Sequence, residues 1–479
     1  MLDGGAPIAG AIPERVQALV IGSGPGGAIT ACRLAEAGKE VLILEEGELF
    51  REGFCAPFSL AEMAAKYRSR GLTPALGNPP VTYVEGKCAG GGSEINSGLY
   101  HRTPPEILER WRREFEVEGL EEADLRPHFE EVERDLSVGL LPHAAPAASL
   151  KLHEGALALG WKSVEVPRWY KYADGKGTPQ TMSRTFLPRA MKAGAQLVSR
   201  MAVTSFRQEG SGWVVHARSG ARKLEVRCEQ LFLCAGAIQT PALLRRSGIT
   251  EKIGNSLHLH PTVKVVARFP ERVNETGQGV PVHQVKEFSP ELSFGCSIST
   301  PEYLGLALLD HPSELPHLEQ NWPQMAIYYA MAAVETTGTV RVLPGVRDPL
   351  VRYQVAKRDM RILASGARHL SQLLFAAGAE QLFLSVGGVP ALRRGADLDQ
   401  IPVSLPRGRT NLMTIHLFST CPMGENRRRC ATDSFGRVHG FPNLFINDAS
   451  LLCTAPTVNP QGSIMAIASR NMAHLLHRS

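Results

Sequence analysis

The hydrophobic and polar positions of this 479-residue chain form patterns that change along its length, and the first pattern predicts a buried parallel sheet. A short apolar run at 17–21 is typical of a strand that is covered on both faces. A glycine-rich turn follows, then a segment with apolar residues at helical spacing that closes at Gly38, and then a second apolar run at 41–44. This order predicts a strand–turn–helix–strand unit.

A strand-like period replaces the helical one in the middle of the chain. The segments 213–217 and 223–227 alternate apolar with polar residues, and a Ser-Gly pair between them predicts a hairpin. The apolar run 231–234 predicts a further buried strand, which leads to a helix over 241–246 with proline in its first turn.

The region 262–410 has a different texture. Strand-like pieces at 263–269, 325–334 and 337–343 surround one long helical pattern over 357–377. This pattern predicts an antiparallel sheet with helices, which is typical of a substrate domain and not of a second nucleotide-binding fold.

The end of the chain returns to the texture of its beginning. The run 443–447 predicts another buried strand, and the apolar residues of 464–476 have helical spacing. Taken together, these patterns predict an α/β protein.

Composition and charge exclude several classes of function. The chain is 43% hydrophobic and 21% charged, which is ordinary for a globular protein. Its net charge of +5 is mild, and no basic stripe is interleaved with aromatic residues, so nucleic acid is not an expected partner. No apolar stretch reaches the roughly 18 residues of a membrane-spanning helix, and residues 1–14 lack a signal pattern. We predict a soluble, cytoplasmic protein without a transmembrane segment, for which peripheral contact with a membrane stays open.

The cysteines give no sign of a metal centre. Nine are present, and none pairs with another at C-x-x-C spacing. A zinc or dithiol site is therefore not expected, and no metal is predicted. The simplest interpretation is that they are buried free thiols in a reducing compartment.

The strongest local motif runs from Gly22 to Glu45, over the first strand–turn–helix–strand unit. Gly22 permits the tight turn, and Gly24 lets the backbone come close to a diphosphate. Gly27 lets the helix lie near the strand, so that the N–H groups and the positive dipole end of the helix face the phosphates. This spacing predicts a dinucleotide site.

An acidic residue at the tip of the second strand completes the motif. The Glu45 carboxylate can accept hydrogen bonds from both ribose hydroxyls and would repel a 2′-phosphate. Glu46 is the neighbouring alternative, but strand alternation points it the other way. Glu45 is therefore the predicted ribose ligand.

A second glycine cluster spans residues 88–96. Consecutive glycines, among them Gly91 and Gly92, let the backbone come very near a flat ligand, and Asn96 can hydrogen-bond to such a ligand. A mobile hinge is the alternative interpretation of this cluster.

Together these residues resemble the glucose–methanol–choline (GMC) oxidoreductase family, and further motifs of that family occur along the whole chain. They include a second signature, the loop after it, a block around a histidine and the closing segment, at 233–249, 253–261, 416–424, 433–440, 443–450 and 459–460. The layout most resembles the branches of the cholesterol oxidases and the long-chain-alcohol oxidases. One departure is Ser419, because the family commonly has glycine before the Thr-Cys pair.

The resemblance implies the fold of that family. A Rossmann-type FAD-binding domain would be joined to a substrate domain made of antiparallel sheet plus helices. The FAD-binding domain would be discontinuous, over 14–105, 190–261 and 415–479. The substrate domain would take 106–189 and 262–414.

The resemblance also implies FAD as the cofactor. Some members bind the flavin covalently through a histidine in the second glycine cluster, but residues 89–96 contain none, so non-covalent FAD is expected. The backbone of Val203 would meet the adenine, and Asp448 would lie at the ribityl and pyrimidine groups. Besides Glu45 and the two glycine clusters, the predicted FAD contacts are Val203, Ala235, Gly236, Asp448, Asn459 and Pro460.

In this family a histidine and a second histidine or asparagine face the flavin ring, and the matching residues here are His416 and Asn459. Imidazole has a pKa near neutral and suits a base that removes the hydroxyl proton of an alcohol. The Asn459 amide can donate to the substrate oxygen and hold the C–H bond toward flavin N5, which takes the hydride. His258 and His260 are interpreted as structural residues of a loop.

The predicted reaction is the FAD-dependent oxidation of a hydrophobic primary or secondary alcohol to an aldehyde or ketone. The apolar segments 304–309 and 326–333 could line the substrate pocket or could equally be core elements. Oxygen or a redox partner could accept the electrons. Two alternatives remain: a non-oxidative relative, such as a lyase or a photodecarboxylase, and a flavoprotein without catalysis.

Overall fold

The computed structural model of the protein describes residues 11–173 and 176–478. Its α-helices are α1 (Pro25–Glu36), α2 (Leu60–Lys66), α3 (Pro105–Phe115), α4 (Glu122–Asp135), α5 (Ala147–Ala158), α6 (Phe186–Lys192), α7 (Gly236–Arg246), α8 (Pro301–Ala307), α9 (Leu318–Asn321), α10 (Lys357–Ala376) and α11 (Gln461–Arg478).

The β-strands group into two large sheets and several small ones. In chain order they are β1 (Arg15–Ile21), β2 (Val41–Leu44), β3 (Thr73–Ala75), β4 (Val81–Tyr83), β5 (Val138–Gly139), β6 (Ser163–Glu165), β7 (Arg168–Ala173), β8 (Lys176–Pro179), β9 (Gln196–Val198), β10 (Ala202–Glu209), β11 (Gly212–Ser219), β12 (Arg222–Leu233), β13 (His258–Leu259), β14 (Thr262–Arg268), β15 (His283–Val285), β16 (Leu292–Cys296), β17 (Met325–Ala332), β18 (Thr339–Arg341), β19 (Leu350–Arg352), β20 (Gln381–Leu384), β21 (Leu412–Thr414), β22 (Leu417–Phe418) and β23 (Leu444–Ile446).

The first large sheet has the order β10–β11–β12–β1–β2–β9, and β23 pairs with the end of β12. The pairs that β1 makes with β2 and β12, and the pair of β12 with β23, are parallel. Ile21 lies opposite both Leu44 and Leu233, and Leu233 lies opposite Ile446. The carboxyl ends of four strands therefore meet at one edge, which is where open α/β sheets bind their ligands.

The second large sheet has the order β3–β4–β21–β14–β17–β16–β15–β6, with β20 paired to β14. Its pairs are antiparallel except for β4 with β21. Helices α5 and α10 pack on this sheet, and their buried leucines, such as Leu152 and Leu370, fill the interface. The predicted α/β fold, with a parallel sheet and a second sheet covered by helices, is confirmed. The domain boundaries stay a prediction. Strands β3 and β4, which lie within the segment 14–105 predicted for the FAD-binding domain, pair in the second sheet.

The prediction of a separate strand at 231–234 is wrong, because this run is the end of the long strand β12. The first half of β12 forms the predicted hairpin with β11, and the second half lies between β1 and β23. Because one strand changes partners along its length, its apolar end looks like an independent strand in the sequence.

Helix α7 also differs from the prediction, because it begins at Gly236 and encloses Pro241 instead of beginning there. Proline has no N–H to donate to the carbonyl four residues earlier, which here belongs to Ala237. The hydroxyl of Thr420 donates to that carbonyl at 2.7 Å and takes the place of the missing donor.

The cysteines of the described residues are free thiols, as predicted, and all but the half-buried Cys55 are buried. Within the same residues, no helix combines the length and the apolar character that crossing a bilayer requires.

Candidate active site

A cavity of about 820 Å³ opens where β1, β2, β12 and β23 end. Apart from Gly27, every residue that the sequence predicts for cofactor or substrate lines it, namely Gly22, Gly24, Glu45, Gly91, Gly92, Asn96, Val203, Ala235, Gly236, His416, Asp448, Asn459 and Pro460. Gly27 lies behind the wall in α1, where a Cβ would collide with the carbonyl oxygen of Gly22. The sequence prediction therefore identifies residues that share one cavity.

The two glycine loops present bare backbone to this cavity. Gly22 has a φ of +96°, a conformation that side chains rarely adopt. Gly24 is the N-cap of α1, and no side chain caps the first turn of that helix. A Cβ on Gly91 would lie 2.8 Å from the Cα of Gly24. Uncapped N–H groups beside two closely approaching loops fit a diphosphate.

Glu45 closes the end of β2. Its Oε2 accepts from the N–H and the hydroxyl of Ser23 at 3.0 and 2.7 Å, and its Oε1 accepts from the N–H of Gly47 at 2.7 Å. Burial raises the pKa of Glu45, and these donors oppose that rise. A carboxylate has about four acceptor positions, so one is left for a ribose hydroxyl, whereas the sequence predicts bonds to both hydroxyls. Despite burial, Arg68 at 2.6 Å lowers the pKa of Glu46 to about 2, so Glu46 serves an ion pair.

Asp448 ties the start of α7 to the segment after β23. Its Oδ2 accepts from the N–H of Gly236 at 2.8 Å and from the hydroxyl of Thr240 at 2.6 Å. Its Oδ1 accepts from the N–H and the hydroxyl of Ser450 at 2.8 and 2.5 Å. Protein donors therefore hold this carboxylate rigidly in the cavity wall.

Asn96 fixes the second glycine cluster. Its Oδ1 accepts from the N–H of Gly98 at 2.7 Å, and its amide donates to Gln461 at the start of α11. The N–H of Gly90 donates to the hydroxyl of Ser23 at 3.2 Å, which joins this cluster to the first glycine turn. These hydrogen bonds indicate that the second glycine cluster forms a fixed part of the cavity wall, and they argue against the alternative of a mobile hinge.

The remaining predicted cofactor residues lie at other edges of the cavity. Val203 is in β10 opposite Ala217, where the pairing is irregular. The N–H of Ala235 donates to the hydroxyl of Thr240 at 3.0 Å, just before α7. Pro460 directly precedes α11.

His416 and Asn459 are brought together by the segments after β21 and before α11. The Nε2 of His416 lies 3.5 Å from the Nδ2 of Asn459, and its Nδ1 lies 3.0 Å from the Nδ1 of His260. Burial, followed by the charge of Lys286, lowers the pKa of His416 to about 3. A neutral imidazole beside an amide donor can take a proton from a hydroxyl group.

His260 is more than the structural loop residue that the sequence predicts, because it contacts His416. Its ring is buried against Phe418, with the centroids 5.0 Å apart, and its Nε2 has no hydrogen-bond partner among the described residues. His258 fits the structural interpretation, since its Nδ1 lies 2.9 Å from the carbonyl oxygen of Ser256.

Sequence reasoning missed a polar group behind Asn459. Gln284 is buried, and its amide nitrogen donates to the Oδ1 of Asn459 at 3.1 Å and to the hydroxyl oxygen of Tyr329 at 3.2 Å. Its Oε1 lies 3.0 Å from the Nε2 of His101. Neither a glycine motif nor a family signature marks these residues, so only the strand register reveals them.

Part of the cavity wall is apolar. Its apolar lining residues include Ile95, Leu99, Ile415, Leu417 and Ile464, of which Ile415 and Leu417 are the chain neighbours of His416. The segments 304–309 and 326–333, which could have formed such a wall, do not line this cavity. Their side chains belong largely to the core around α8 and β17, in keeping with the alternative interpretation.

Comparison with families and curated proteins gives consistent matches. Family profiles described as GMC oxidoreductase match residues 25–262 and 335–468. An uncharacterized GMC-type oxidoreductase of Sinorhizobium fredii is 39% identical over 98% of this chain and 96% of its own length. A long-chain-alcohol oxidase of Arabidopsis thaliana is 25% identical over 96% of this chain and 67% of its own length.

Solved structures share the fold. Pyridoxine 4-oxidase from Mesorbium loti aligns with a TM-score of 0.76 at 19% identity, covering 96% of this chain and 99% of that one. An FAD-dependent oxidoreductase from Chaetomium thermophilum aligns with a TM-score of 0.71 at 15% identity, covering 97% of this chain and all of that one.

Proposed function

The chain belongs to the GMC oxidoreductase family, and from this premise we propose that it oxidises a hydrophobic primary or secondary alcohol to the aldehyde or ketone. The observation that carries the proposal is the pairing of a neutral, buried His416 with the Asn459 amide in the wall of the cavity that the two glycine loops and Glu45 also line.

As in the rest of the family, the cofactor is FAD, and the cavity suits it. The uncapped start of α1 would hold the diphosphate, and Glu45 would hold the ribose. The backbone at Val203 would meet the adenine, and the segment around Asp448 and Pro460 would meet the flavin end. When bound, FAD supplies the acceptor of the hydride that leaves the alcohol carbon. We propose that it binds non-covalently.

His416 and Asn459 would divide the remaining chemistry. The Nε2 of His416 takes the hydroxyl proton of the alcohol, because the unprotonated ring nitrogen carries a lone pair. The NH₂ group of Asn459 donates to the same oxygen and stabilises the negative charge that develops there. Both groups come from well-packed segments, so they are positioned before the substrate arrives.

The choice of a lipophilic alcohol rests on the apolar residues of the cavity wall, two of which, Ile415 and Leu417, flank His416 in the chain. Burying the apolar surface of an alkyl chain or ring against these residues favours binding by roughly 25 cal/mol for each Å² removed from water. The similarity to a plant long-chain-alcohol oxidase over nearly the whole chain favours the same class.

The test is to add an alcohol to the protein in the dark without oxygen and to measure reduction of the bound flavin by the loss of its absorbance. Long-chain primary alcohols and sterols are expected to bleach the flavin, and glucose is not. His416→Ala is expected to keep its flavin absorbance and to lower the reduction rate by about 10²–10⁴-fold. His143→Ala, at an exposed position, is the matched control.

Two outcomes would overturn the proposal. Bleaching by sugars alone would remove the lipophilic substrate class. Absence of bleaching by any alcohol would favour a lyase, a photodecarboxylase or a non-catalytic flavoprotein.

A further inference from the structure

Asn459 can serve as a donor only if its amide has one particular orientation. The NH₂ end can donate to a developing alkoxide, whereas the carbonyl end would repel it. The two orientations have nearly the same shape, so packing alone does not choose between them. Some neighbour must therefore fix which end faces His416.

Gln284 is in contact with the other end of that amide. Its Nε2 donates to the Oδ1 of Asn459 at 3.1 Å, which turns the Nδ2 of Asn459 toward His416. The second hydrogen on the same nitrogen points to Tyr329, whose hydroxyl oxygen is 3.2 Å away. On its other side, the Oε1 of Gln284 accepts from the Nε2 of His101 at 3.0 Å. Both ends of the Gln284 amide therefore have partners.

The sheet contains a row of residues that makes this arrangement possible. Gln284 in β15 lies opposite Gly295 in β16, and Gly295 lies opposite Tyr329 in β17. A Cβ on Gly295 would collide with the phenol ring and hydroxyl of Tyr329. The Tyr329 side chain therefore crosses the middle strand over a glycine to reach Gln284.

The direction of these bonds also determines where the proton of His416 lies. Since Asn459 donates to the Nε2 of His416, that nitrogen carries a lone pair. The ring proton is then on Nδ1 and is donated to the Nδ1 of His260 at 3.0 Å. Burial lowers the pKa of His260 as well, so both rings are neutral. If the Asn459 amide were turned around, its oxygen would face His416 and would accept a hydrogen bond from a protonated Nε2. That nitrogen could then not act as the base.

We propose that Gln284, supported by Tyr329 across Gly295, is a positioning residue that fixes the orientation of the Asn459 amide and thereby leaves the Nε2 of His416 unprotonated. This inference rests on the proposed function for its consequence in catalysis. The orientation itself can be measured without turnover.

The first measurement is NMR of the FAD-loaded protein with ¹⁵N-labelled asparagine and histidine. The Asn459 amide signal is identified by its loss in Asn459→Ala, and the His416 signals by their loss in His416→Ala. In the unsubstituted protein, the Nε2 of His416 is expected to show the shift of an unprotonated ring nitrogen. Gln284→Met is expected to move the Asn459 signal, and Gln208→Met, the same change at an exposed position, is not.

The second measurement is the anaerobic rate of flavin reduction. Gln284→Met is expected to lower the limiting rate by about 10–100-fold, somewhat less than the loss of a whole donor, with little change in the substrate dissociation constant. Tyr329→Phe keeps the hydrogen bond from Gln284 to Asn459 but removes the hydroxyl that holds Gln284 in place. It is expected to lower the limiting rate less than Gln284→Met does. In an Asn459→Ala background, Gln284→Met is expected to cause no further loss, because it acts through Asn459.

A proton on the Nε2 of His416, an Asn459 signal that Gln284→Met leaves unmoved, or additive losses in the double variant would each overturn the inference. Failure of the proposed function gives a different result. In that case no alcohol bleaches the flavin of the unsubstituted protein, while the NMR shifts still report the orientation of Asn459.

Discussion

The imidazole of His416 is kept neutral by its surroundings. Burial penalises its charged form, and the ammonium of Lys286 repels a second positive charge. Lys286 itself has no hydrogen-bond partner for its Nζ among the described residues, and burial lowers its pKa to about 8. His416 therefore stays unprotonated, and so available as a base, well below neutral pH.

This setting predicts an unusual pH profile. A base works while it is unprotonated, so activity is lost as the pH falls through its pKa. Because the pKa of His416 is lowered to about 3, the rate of flavin reduction should stay level between about pH 8 and 5. In Lys286→Met, the removal of a positive charge raises the pKa of His416, and the acid limb should move to higher pH. Stopped-flow rates across that range measure both, and an acid limb near pH 6.5 in the unsubstituted protein would contradict the prediction.

Ser419 has a backbone conformation that favours glycine, although it carries a side chain. It has a φ of +69°, and its buried hydroxyl has no hydrogen-bond partner among the described residues. Left-handed backbone costs a non-glycine residue roughly 1 kcal/mol or more. We predict that Ser419→Gly raises the free energy of unfolding by about 1 kcal/mol, as measured by urea denaturation. Ser419→Ala removes the hydroxyl and keeps the strain, so a gain as large in Ser419→Ala would show that strain is not the cause.

Among the elements, α7 depends on a side chain distant in the sequence. The helix continues through Pro241 because Thr420 supplies the donor that proline lacks. Its first residues lie in the cavity wall, where the N–H of Gly236 bonds to Asp448. The stability of this helix is therefore linked to the shape of the cofactor site.

The link can be tested by a change of one group. Thr420→Val keeps the shape of the side chain and leaves the Ala237 carbonyl buried without its donor, which should cost about 1–3 kcal/mol of unfolding free energy. The same variant should release FAD more readily on dilution, as measured by fluorescence of the free flavin. Thr420→Ser retains the hydroxyl and is the control. Equal losses in the two variants would mean that packing, and not the hydrogen bond, is responsible.

The sequence predicts correctly those elements and site motifs that depend on residues close together in the chain. The fingerprint at Gly22 and the block at His416 are recognisable because the required residues lie close together in the chain. The start of α7 was misjudged because its explanation lies in Thr420, far along the sequence. Gln284 was missed for the same kind of reason, since its significance arises from strand register with Tyr329.

At the scale of the whole molecule, the buried His416 and the half-buried His101 make the protein sensitive to acid. Burial lowers the pKa of both His101 and His416 to about 3, whereas the unfolded chain protonates them near 6.5. Below pH 6.5 the unfolded state binds more protons, so stability falls as the pH falls, and it changes little on this account above pH 7.

The size of this effect can be predicted. Between pH 7 and 5, each of the two groups should remove about 2 kcal/mol from the free energy of unfolding. Urea denaturation of the FAD-loaded protein at these two pH values measures the loss. His101→Asn should reduce it, and His143→Asn, at an exposed position, should not. A pH dependence that His101→Asn leaves intact would assign the sensitivity to other groups.

The pairing of β12 with β23 has a consequence for how the protein is made. The ribosome synthesises the fingerprint at 22–45 well before β23 and α11, which emerge only with residues 444–478. Until then, the end of β12 is an open strand edge, and the nascent chain lacks Asp448 and Asn459. The complete cofactor site therefore forms only after these residues have been synthesised, and the long interval exposes an apolar sheet edge on which chaperones or aggregation can act.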